Sequence, residues 1–459
     1  MRANLYELCT GRTSRLALNI HGGPRSIEIA DVLGERDMKL TGLKAALLAF
    51  ASTCFATAGN AGTVTMWTFL NPANDSGREI ALRNIIAEFE TKNPAIKIVV
   101  EPQDWGTMSQ KFVLSHTANR APDVIWSAQD TGLLVNSGSL ASLNPYLDGW
   151  DGPTGGDLLF ASAYEKATYN GELMAVPIFP YAILMFYRKD VLAELGISEE
   201  SLRTWDGLKN VTRKLQEAGK PGLLMPTSED RSSSSVATTA FMELTGGHLV
   251  GADCRANFAT PEGIKALELQ VDMFREGLLA REEVSRNNDD DWDLFIGGRG
   301  TIVPQTSARA GALLSSAEWA DEKTVGIMPW PSFTGEEPGP ASGATWSASL
   351  WAGSQNKEEA AKFILHLVSV EAATEWTRHG QQLPLRRSVA ENPEFSGGIY
   401  ELNKTVASIM DSTAVFAPPG CAVSQSYSDW NAAVQEVFLG GIDPLAALKE
   451  AEAATNRRQ

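Results

Sequence analysis

Residues 171–192 read GELMAVPIFPYAILMFYRKDVL, and the rest of the chain is organised around this stretch. Two short apolar runs lie around Pro177 and Pro180. Because proline can neither continue a helix nor donate a hydrogen bond to a β-ladder, the stretch predicts two extended segments that meet at the prolines. We interpret it as the point where the chain crosses between two lobes. A buried edge strand with a kink is the alternative.

The composition sets limits on fold and function. The chain has 459 residues, of which 43% are hydrophobic and 8% aromatic, and this is enough to build two large α/β units and excludes a disordered chain. Its net charge of −17 repels phosphate backbones and anionic lipid head groups, so we expect no nucleic acid partner.

The N-terminal region has the pattern of an export signal. Met38 and Lys39 precede an apolar run over residues 45–55, which small residues follow as far as Ala61. The run is too short to anchor the chain across a bilayer, and the pattern predicts a signal peptide over residues 38–61 and a periplasmic mature protein. Residues 1–37 are interpreted as an upstream extension that is not part of the mature protein, with Met38 as the true start. Cys54 leaves a lipoprotein as the alternative.

Two cysteines, Cys254 and Cys421, remain after the predicted signal peptide. Export would expose them to an oxidising compartment, where they could form a disulfide. Two buried free thiols are the alternative.

The first part of the predicted mature chain alternates strands and helices. Residues 63–69, 96–100 and 121–126 read as strands, and the helix after the first strand places Leu82, Ile85 and Phe89 on one face. This βαβ pattern predicts a parallel sheet, and ligands bind beyond the carboxyl ends of such strands. Candidate ligand contacts at that edge are Trp67, Phe69, Asp104, Trp105, Gln129 and Asp130.

The same pattern continues after residue 192. Thr204 and Thr260 each precede a helix as capping residues, and Pro261 takes the first helical position. Residues 222–226 read as strand-like, and from Lys357 onward the chain is mostly helical. We find no internal repeat.

Several of these segments together resemble one family. The motifs are residues 171–177 and 187–192, and in the expected order residues 121–124, 204–206, 260–263, 295–300 and 383–386. They resemble the family 1 extracellular solute-binding proteins of ABC importers. The resemblance implies an α/β fold of the two-lobed periplasmic-binding-protein type (type II), in which each lobe is a mostly parallel sheet flanked by helices. The implied lobes are residues 62–178 with 302–345, and residues 181–300 with 351–459.

The resemblance also implies a function. A monomeric receptor would hold a sugar or polyol between its lobes without a cofactor and deliver it to the permease subunits of an importer. Its cleft would include Trp67, Trp105, Trp346 and Trp430, whose rings can stack on a sugar, and Tyr181 at the cleft floor. For each tryptophan, a place in the core is the alternative.

Polar candidates complete the predicted site. Gln305 and Arg309 lie where relatives often place an aromatic residue, and Arg231 and Arg309 could pair with an acidic ligand. Solvated arginines are the alternative, and Asp104 and Asp130 could instead serve as helix caps or turn residues.

Two other functions are alternatives to a receptor. A secreted glycosidase would use two carboxylates across an aromatic-lined cleft, and sequence alone does not exclude it. An adhesin would show repeats or long linkers, which the sequence lacks. The run Asp289-Asp290-Asp291 does not have the spacing of a calcium loop and is interpreted as a solvated loop, and the histidines form no metal-spaced pair.

Overall fold

The computed structural model describes residues 62–128, 131–152, 157–229, 234–421 and 423–458. The upstream extension and the predicted signal peptide lie outside the described residues. The strands are β1 Gly62–Thr68, β2 Ile96–Pro102, β3 Val124–Ala128, β4 Leu140–Ala141, β5 Thr168–Tyr169, β6 Glu172–Leu173, β7 Val176–Arg188, β8 Ile302–Thr306, β9 Val325–Met328, β10 Ala341–Trp351 and β11 Ala414–Phe416.

The helices are distributed along the whole described chain. They are α1 Gly77–Lys92, α2 Met108–Thr117, α3 Thr131–Asn136, α4 Ala161–Ala167, α5 Lys189–Glu194, α6 Trp205–Glu217, α7 Val236–Thr245, α8 Pro261–Arg275, α9 Asn288–Ile296, α10 Ala310–Ser316, α11 Lys357–His366, α12 Val370–Arg378, α13 Arg387–Ala390, α14 Ile399–Thr413, α15 Ser424–Gly440 and α16 Pro444–Asn456. Short 3₁₀ turns include Asn144–Tyr146, Glu199–Leu202, Arg281–Ser285 and Ser307–Arg309.

The stretch that contains both prolines forms one continuous strand, β7, rather than two segments that meet. Its first half pairs antiparallel with β10, and its second half pairs antiparallel with β8 and β9. Pro177 lies opposite Ser347 and Pro180 lies opposite Thr345, with a register shift between them. The shift is a bulge, which bends a strand and increases its twist, so β7 bends at the prolines. Its pairing passes from β10 to β8 between Ala182 and Ile183.

Two separate hydrophobic cores lie at the two ends of β7. The first core contains Val176 and Phe179 and packs β1 and β3 against helices α1, α11 and α12. The second contains residues 181–187 of β7 and packs them against helices that include α6, α7, α8 and α15. The two cores therefore share β7, and the chain passes between two lobes within it.

The cores divide the chain differently from the predicted lobe boundaries. Residues 302–345, predicted for the first lobe, contribute Ile302, Val325 and Ala344 to the second core. Helices α11 and α12, predicted for the second lobe, pack into the first core. The physical reason is that β10 runs from the second core into the first, so the segments before and after it exchange lobes.

Strand direction differs between the two lobes. In the first lobe β1 lies between β2 and β3 and pairs parallel with both, as the βαβ pattern predicts. In the second lobe β8 and β9 both pair antiparallel with β7, whereas β11 pairs parallel with β10 and Leu223 forms a parallel bridge to Ile302. The parallel arrangement predicted for both lobes thus holds for β1 to β3, while the second lobe combines parallel and antiparallel pairs.

The predicted helix caps are confirmed. The Thr204 hydroxyl accepts a hydrogen bond from the Gly207 amide at 3.0 Å, and the Thr260 hydroxyl accepts one from the Gly263 amide at 3.1 Å. Such caps satisfy amides that a helix leaves unpaired at its start.

Cys254 and Cys421 form a disulfide. The bond joins the loop before α8 to the loop between β11 and α15, and Cys421 is buried. Of the two alternatives that the sequence leaves open, the disulfide is therefore the one that the fold contains.

Candidate functional site

The lobes meet around β7 and β10, and three aromatic side chains cluster there. The ring of Phe69, just after β1, lies 4.4 Å from the ring of Trp346 on β10, at an interplanar angle of 39°. The Tyr181 ring on β7 lies 6.1 Å from Trp346. Tyr181 is 6% exposed, whereas Phe69 and Trp346 remain partly exposed. We call these three residues the aromatic group.

A second layer of rings supports the aromatic group. Trp126 packs edge-on against both Phe69 and Trp346, at 6.2 and 6.5 Å. Behind it, Phe179 and Trp376 lie within 6 Å of the Trp126 ring. Edge-to-face packing of this kind fixes ring orientation, so the partly exposed rings are held in place before any ligand arrives.

Two arginines, one from each lobe, affect each other electrostatically, and one of them contacts the aromatic group. The Arg78 guanidinium, in the first turn of α1, lies 5.2 Å from the centre of the Phe69 ring. Arg309, just after β8, forms an ion pair with Asp289 and lies 5.4 Å from the centre of the Trp292 ring. Burial and the nearby Arg309 charge lower the pKa of Arg78 to about 10, which leaves Arg78 protonated at neutral pH. We call Arg78 and Arg309 the arginine pair.

A cavity of about 60 Å³ lies beside β10. Among the described strands, β11 pairs with residues 341–343 of β10 and β3 with residues 346–350, so neither covers Ala344 and Thr345 on that edge. The cavity occupies this gap in the sheet. Its lining comes from residues 131–132, 166–167, 169, 342–345, 347, 416–419, 421 and 423, with His248 and Tyr427.

Three polar side chains form a network at this cavity. The Tyr427 hydroxyl lies 2.6 Å from the Ser342 hydroxyl and 3.2 Å from His248 Nε2. Burial, reinforced by the nearby Lys166 charge, lowers the pKa of His248 to about 4, and burial raises the pKa of Tyr427 to about 12. Both groups are therefore neutral at neutral pH. We call Ser342, His248, Tyr427 and the loop 417–421 the polar cavity.

The other ring nitrogen of His248, Nδ1, is not used in a hydrogen bond to the described residues. His248 Nδ1 is inaccessible to solvent and has no hydrogen-bond partner among the described residues. A buried polar atom without a partner is costly, and in a binding site it can be satisfied by a ligand.

Of the predicted site residues, three lie together where the lobes meet. These are Phe69, Tyr181 and Trp346, whereas Arg309 pairs with Asp289 and lies over the Trp292 ring. Trp67 lies in a separate cluster, where its indole nitrogen donates to Glu101 at 2.8 Å and its ring packs against Phe112. Trp105 lies partly buried in the turn between β2 and α2.

Other predicted site residues have structural roles. The Asp104 carboxylate accepts a hydrogen bond from the Thr107 hydroxyl at 3.1 Å, which fits its alternative interpretation as a turn residue. The Gln305 amide donates to the Asn288 carbonyl and accepts from the Thr306 amide, and Gln305 is 3% exposed. Both polar ends of the Gln305 side chain are thus used within the protein.

Trp430 is a core residue and not a cleft residue. It has no exposed surface and packs between Phe241 and Phe258, with ring distances of 5.1 and 5.0 Å. The residue of α15 that lines the cavity is Tyr427. Tyr427 and Trp430 are three residues apart and lie on the same side of α15. Trp430, however, is nearly one turn further along the helix and lies inside the second core.

The predicted contacts Gln129, Asp130 and Arg231 lie outside the described residues. The run Asp289-Asp290-Asp291 does not form a solvated loop, because it is the first turn of α9, capped by Asn287, and Asp291 is fully buried. Burial and the neighbouring Glu283 carboxylate raise the pKa of Asp291 well above its ordinary range.

Sequence reasoning missed Arg78, His248 and Tyr427. For Arg78 a signal was present, because a cation in the first turn of a helix opposes the helix dipole. His248 was considered only as a metal ligand, and among the described residues no group of three or more His, Cys, Asp or Glu side chains could hold a metal ion. Tyr427 had no signal, since nothing in the sequence states which face of α15 turns to the cavity.

Two lobes built on shared strands, with rings and polar groups collected where they meet, define the class of two-lobed periplasmic binding proteins. The sequence pattern of the bacterial extracellular solute-binding proteins matches residues 75–374, more than half of the chain. The chain belongs to this family, whose members are binding proteins of ABC transporters rather than enzymes.

Individual relatives agree with this assignment. The Escherichia coli protein YcjN, whose name describes a periplasmic-binding protein of an ABC transporter, is 22% identical over 338 residues, or 70% of this chain and 73% of YcjN. A solute-binding protein from Thermotoga lettingae, solved with α-D-tagatose, has a TM-score of 0.73 at 20% identity and covers 86% of this chain and 99% of its own. Maltose-bound MalE3 from T. maritima has a TM-score of 0.72 at 19% identity and covers 86% and 100%. At these identities the two structures establish the fold.

The described helices also bear on membrane attachment. Within the described ranges, no helix is both long enough and apolar enough to cross a bilayer.

Proposed function

We propose that this protein is the extracytoplasmic receptor of an ABC importer, which binds a sugar or related polyol between its lobes and presents the closed complex to the permease subunits. The observation that carries the proposal is the aromatic group, in which Tyr181 and Trp346 lie on the strands that both lobes share and the Phe69 ring packs against Trp346. Flat rings stack on the apolar faces of a sugar, and polar neighbours bond to its hydroxyls.

The polar cavity supports the same proposal. Sugar hydroxyls both donate and accept, and His248 Nδ1 and the Tyr427 hydroxyl are partners of this kind next to the gap in the sheet. The cavity volume of about 60 Å³ holds only a few water molecules, so a sugar enters after the lobes move apart. Hinge motion around β7 and β10 supplies that movement, because these two strands run from one core to the other.

Export to the periplasm and a monomeric state belong to this proposal. A receptor that docks on membrane subunits needs the outer faces of both lobes free. N-terminal sequencing of protein recovered from the periplasm is expected to find a start near residue 62. Size-exclusion chromatography with light scattering is expected to give the mass of a single chain.

The binding proposal is tested by a thermal-shift screen over monosaccharides, disaccharides, polyols and their acidic derivatives. A ligand at one hundred times its Kd stabilises the folded protein by about 2.7 kcal/mol, so a true ligand gives a clear shift in Tm. Calorimetry should then give one site per chain, with no product after long incubation. If no member of the panel binds, or if product accumulates, the proposal fails.

A further inference from the structure

Arg78 carries a positive charge at an unfavourable place. It is the second residue of α1, where the helix dipole already presents partial positive charge. Within the described ranges no carboxylate forms an ion pair with it. Its neighbour Glu79 is engaged elsewhere, because the Glu79 carboxylate accepts hydrogen bonds from Asn71, Asn74 and Ser76. The Arg78 guanidinium lies over the Phe69 ring instead.

Arg309 approaches the same place from the second lobe. It follows β8, whose residue Thr306 pairs with Ile183, two residues after Tyr181. The Arg309 guanidinium donates a hydrogen bond to Asp289 through one of its nitrogens. A guanidinium carries five N–H donors, so other donors remain for a further acceptor. Arg309 therefore follows a strand that pairs with β7 just beyond Tyr181, and its guanidinium has hydrogen-bonding capacity left.

The segment 379–382 brings the two arginines together. Gly77, next to Arg78, lies so close to the His379 carbonyl that a Cβ on it would be 2.1 Å from that oxygen. At the other end of the segment, the Gln382 amide donates to the Ala308 carbonyl, next to Arg309, at 3.2 Å. Burial lowers the pKa of Arg78, and the positive charge of Arg309 lowers it further. Two partly buried cations that act on each other cost free energy unless an anion neutralises them.

We propose that the ligand is an acidic sugar whose carboxylate or phosphate binds between Arg78 of the first lobe and Arg309 of the second. The sugar ring then lies against the aromatic group. A guanidinium binds a carboxylate or phosphate through two parallel hydrogen bonds, and one oxyanion can accept from both arginines. The net charge of −17 repels anions in general, so a local pair of cations is what an acidic ligand would require.

This inference rests on the proposed receptor function and adds a mechanism of closure. With the cleft empty, the two cations repel each other and oppose approach of the lobes. An anion between them removes the repulsion, so the acidic ligand favours the closed form by interacting with both lobes at once.

The test is isothermal calorimetry on a matched panel. Glucose and galactose are compared with glucuronate and galacturonate, which carry a carboxylate, and with glucose 6-phosphate and glycerol 3-phosphate, which carry a phosphate. We expect one acidic class to bind at least tenfold more tightly than its neutral counterpart, with an affinity that falls as salt is raised. The class that binds identifies the anion.

Two variants localise the effect. Arg78→Gln is expected to weaken the acidic ligand at least tenfold and to leave the Tm of the ligand-free protein unchanged or higher. Arg83→Gln is the matched control on α1, because Arg83 donates to the Pro72 and Asn74 carbonyls at the surface, and it should leave affinity within twofold. If a neutral sugar binds as tightly as its acidic counterpart, or if Arg78→Gln has no effect, the acidic-ligand inference is wrong while the receptor function stands. If nothing in this panel binds, the acidic-ligand inference fails, and the wider thermal-shift screen decides whether the receptor proposal stands.

Discussion

The aromatic group and the polar cavity share strand β10 but are supported in different ways. Trp346 is backed by a second layer of rings that belongs to the first core. Ser342, four residues earlier, depends on a hydrogen-bond network and on a loop that a disulfide ties to the second lobe. The first region is held by packing and the second by bonds that respond to pH and redox state. Each region should therefore fail under a different perturbation.

The largest effect is expected from the disulfide beside the polar cavity. The double variant Cys254→Ser/Cys421→Ser should lower the free energy of unfolding by about 2–5 kcal/mol, because the lost bond closes a long loop of chain in the unfolded state. Denaturant titration measures this, and wild-type protein under reductant should match the variant. Equal stability of the oxidised, reduced and double-variant proteins would contradict the assigned role of the bond.

Truncation of the aromatic group should mainly affect binding. Trp346→Ala is expected to weaken the ligand by about 2–4 kcal/mol, the size typical of a central aromatic contact, as measured by calorimetry. Tyr181→Ala should act in the same direction. Trp67→Ala is the matched control, because Trp67 packs against Phe112 in another cluster and should leave affinity almost unchanged. Unchanged binding in Trp346→Ala would show that the cleft is placed wrongly.

The polar cavity should make stability depend on pH through His248. The unfolded state takes up a proton near the ordinary pKa of 6.5, whereas the folded state does so only near 4. Between these values the free energy of unfolding should fall by about 1.4 kcal/mol for each unit by which pH is lowered. His248→Gln should flatten that slope by this amount, as urea titrations at several pH values can measure. Parallel curves for the two proteins would be the contrary result.

The smallest effect is expected from Tyr427→Phe. The change removes the hydroxyl that contacts Ser342 and His248, and the net loss of stability should be about 1 kcal/mol. Thermal unfolding measures this loss. A variant as stable as wild type would mean that the network adds nothing to the folded state.

Sequence reasoning predicted the backbone of the site better than its side chains. The prolines located the crossing strand, because Pro177 and Pro180 restrict the local structure whatever lies around them. Alternating strands and helices predicted the parallel pairing of β1 with β2 and β3 for the same local reason. Tyr181 and Trp346 could be placed near the crossing because they lie on the strands themselves.

The errors concern properties that depend on distant partners. Trp430 was assigned to the cleft, since a helical sequence does not state which turn of the helix reaches a cavity, and Phe241 and Phe258 enclose the turn that carries Trp430. The predicted lobe boundaries differ from the division between the two cores because β10 passes from one lobe to the other within a regular strand. No proline or glycine interrupts the strand where it crosses. Arg78 went unnoticed, as its significance comes from Arg309, which lies on the other lobe.

The shared strand also sets the order in which this chain can fold. The first lobe cannot complete its sheet until residues 346–350 are available to pair with residues 124–128, and its core also needs α11 and α12. Contacts so distant in sequence slow folding, because a long loop must close before they form. A nascent chain that has reached only residue 340 therefore lacks the central strand of its first lobe. Neither lobe of such a chain is complete, so the chain would remain unfolded, as an extended polypeptide, for longer.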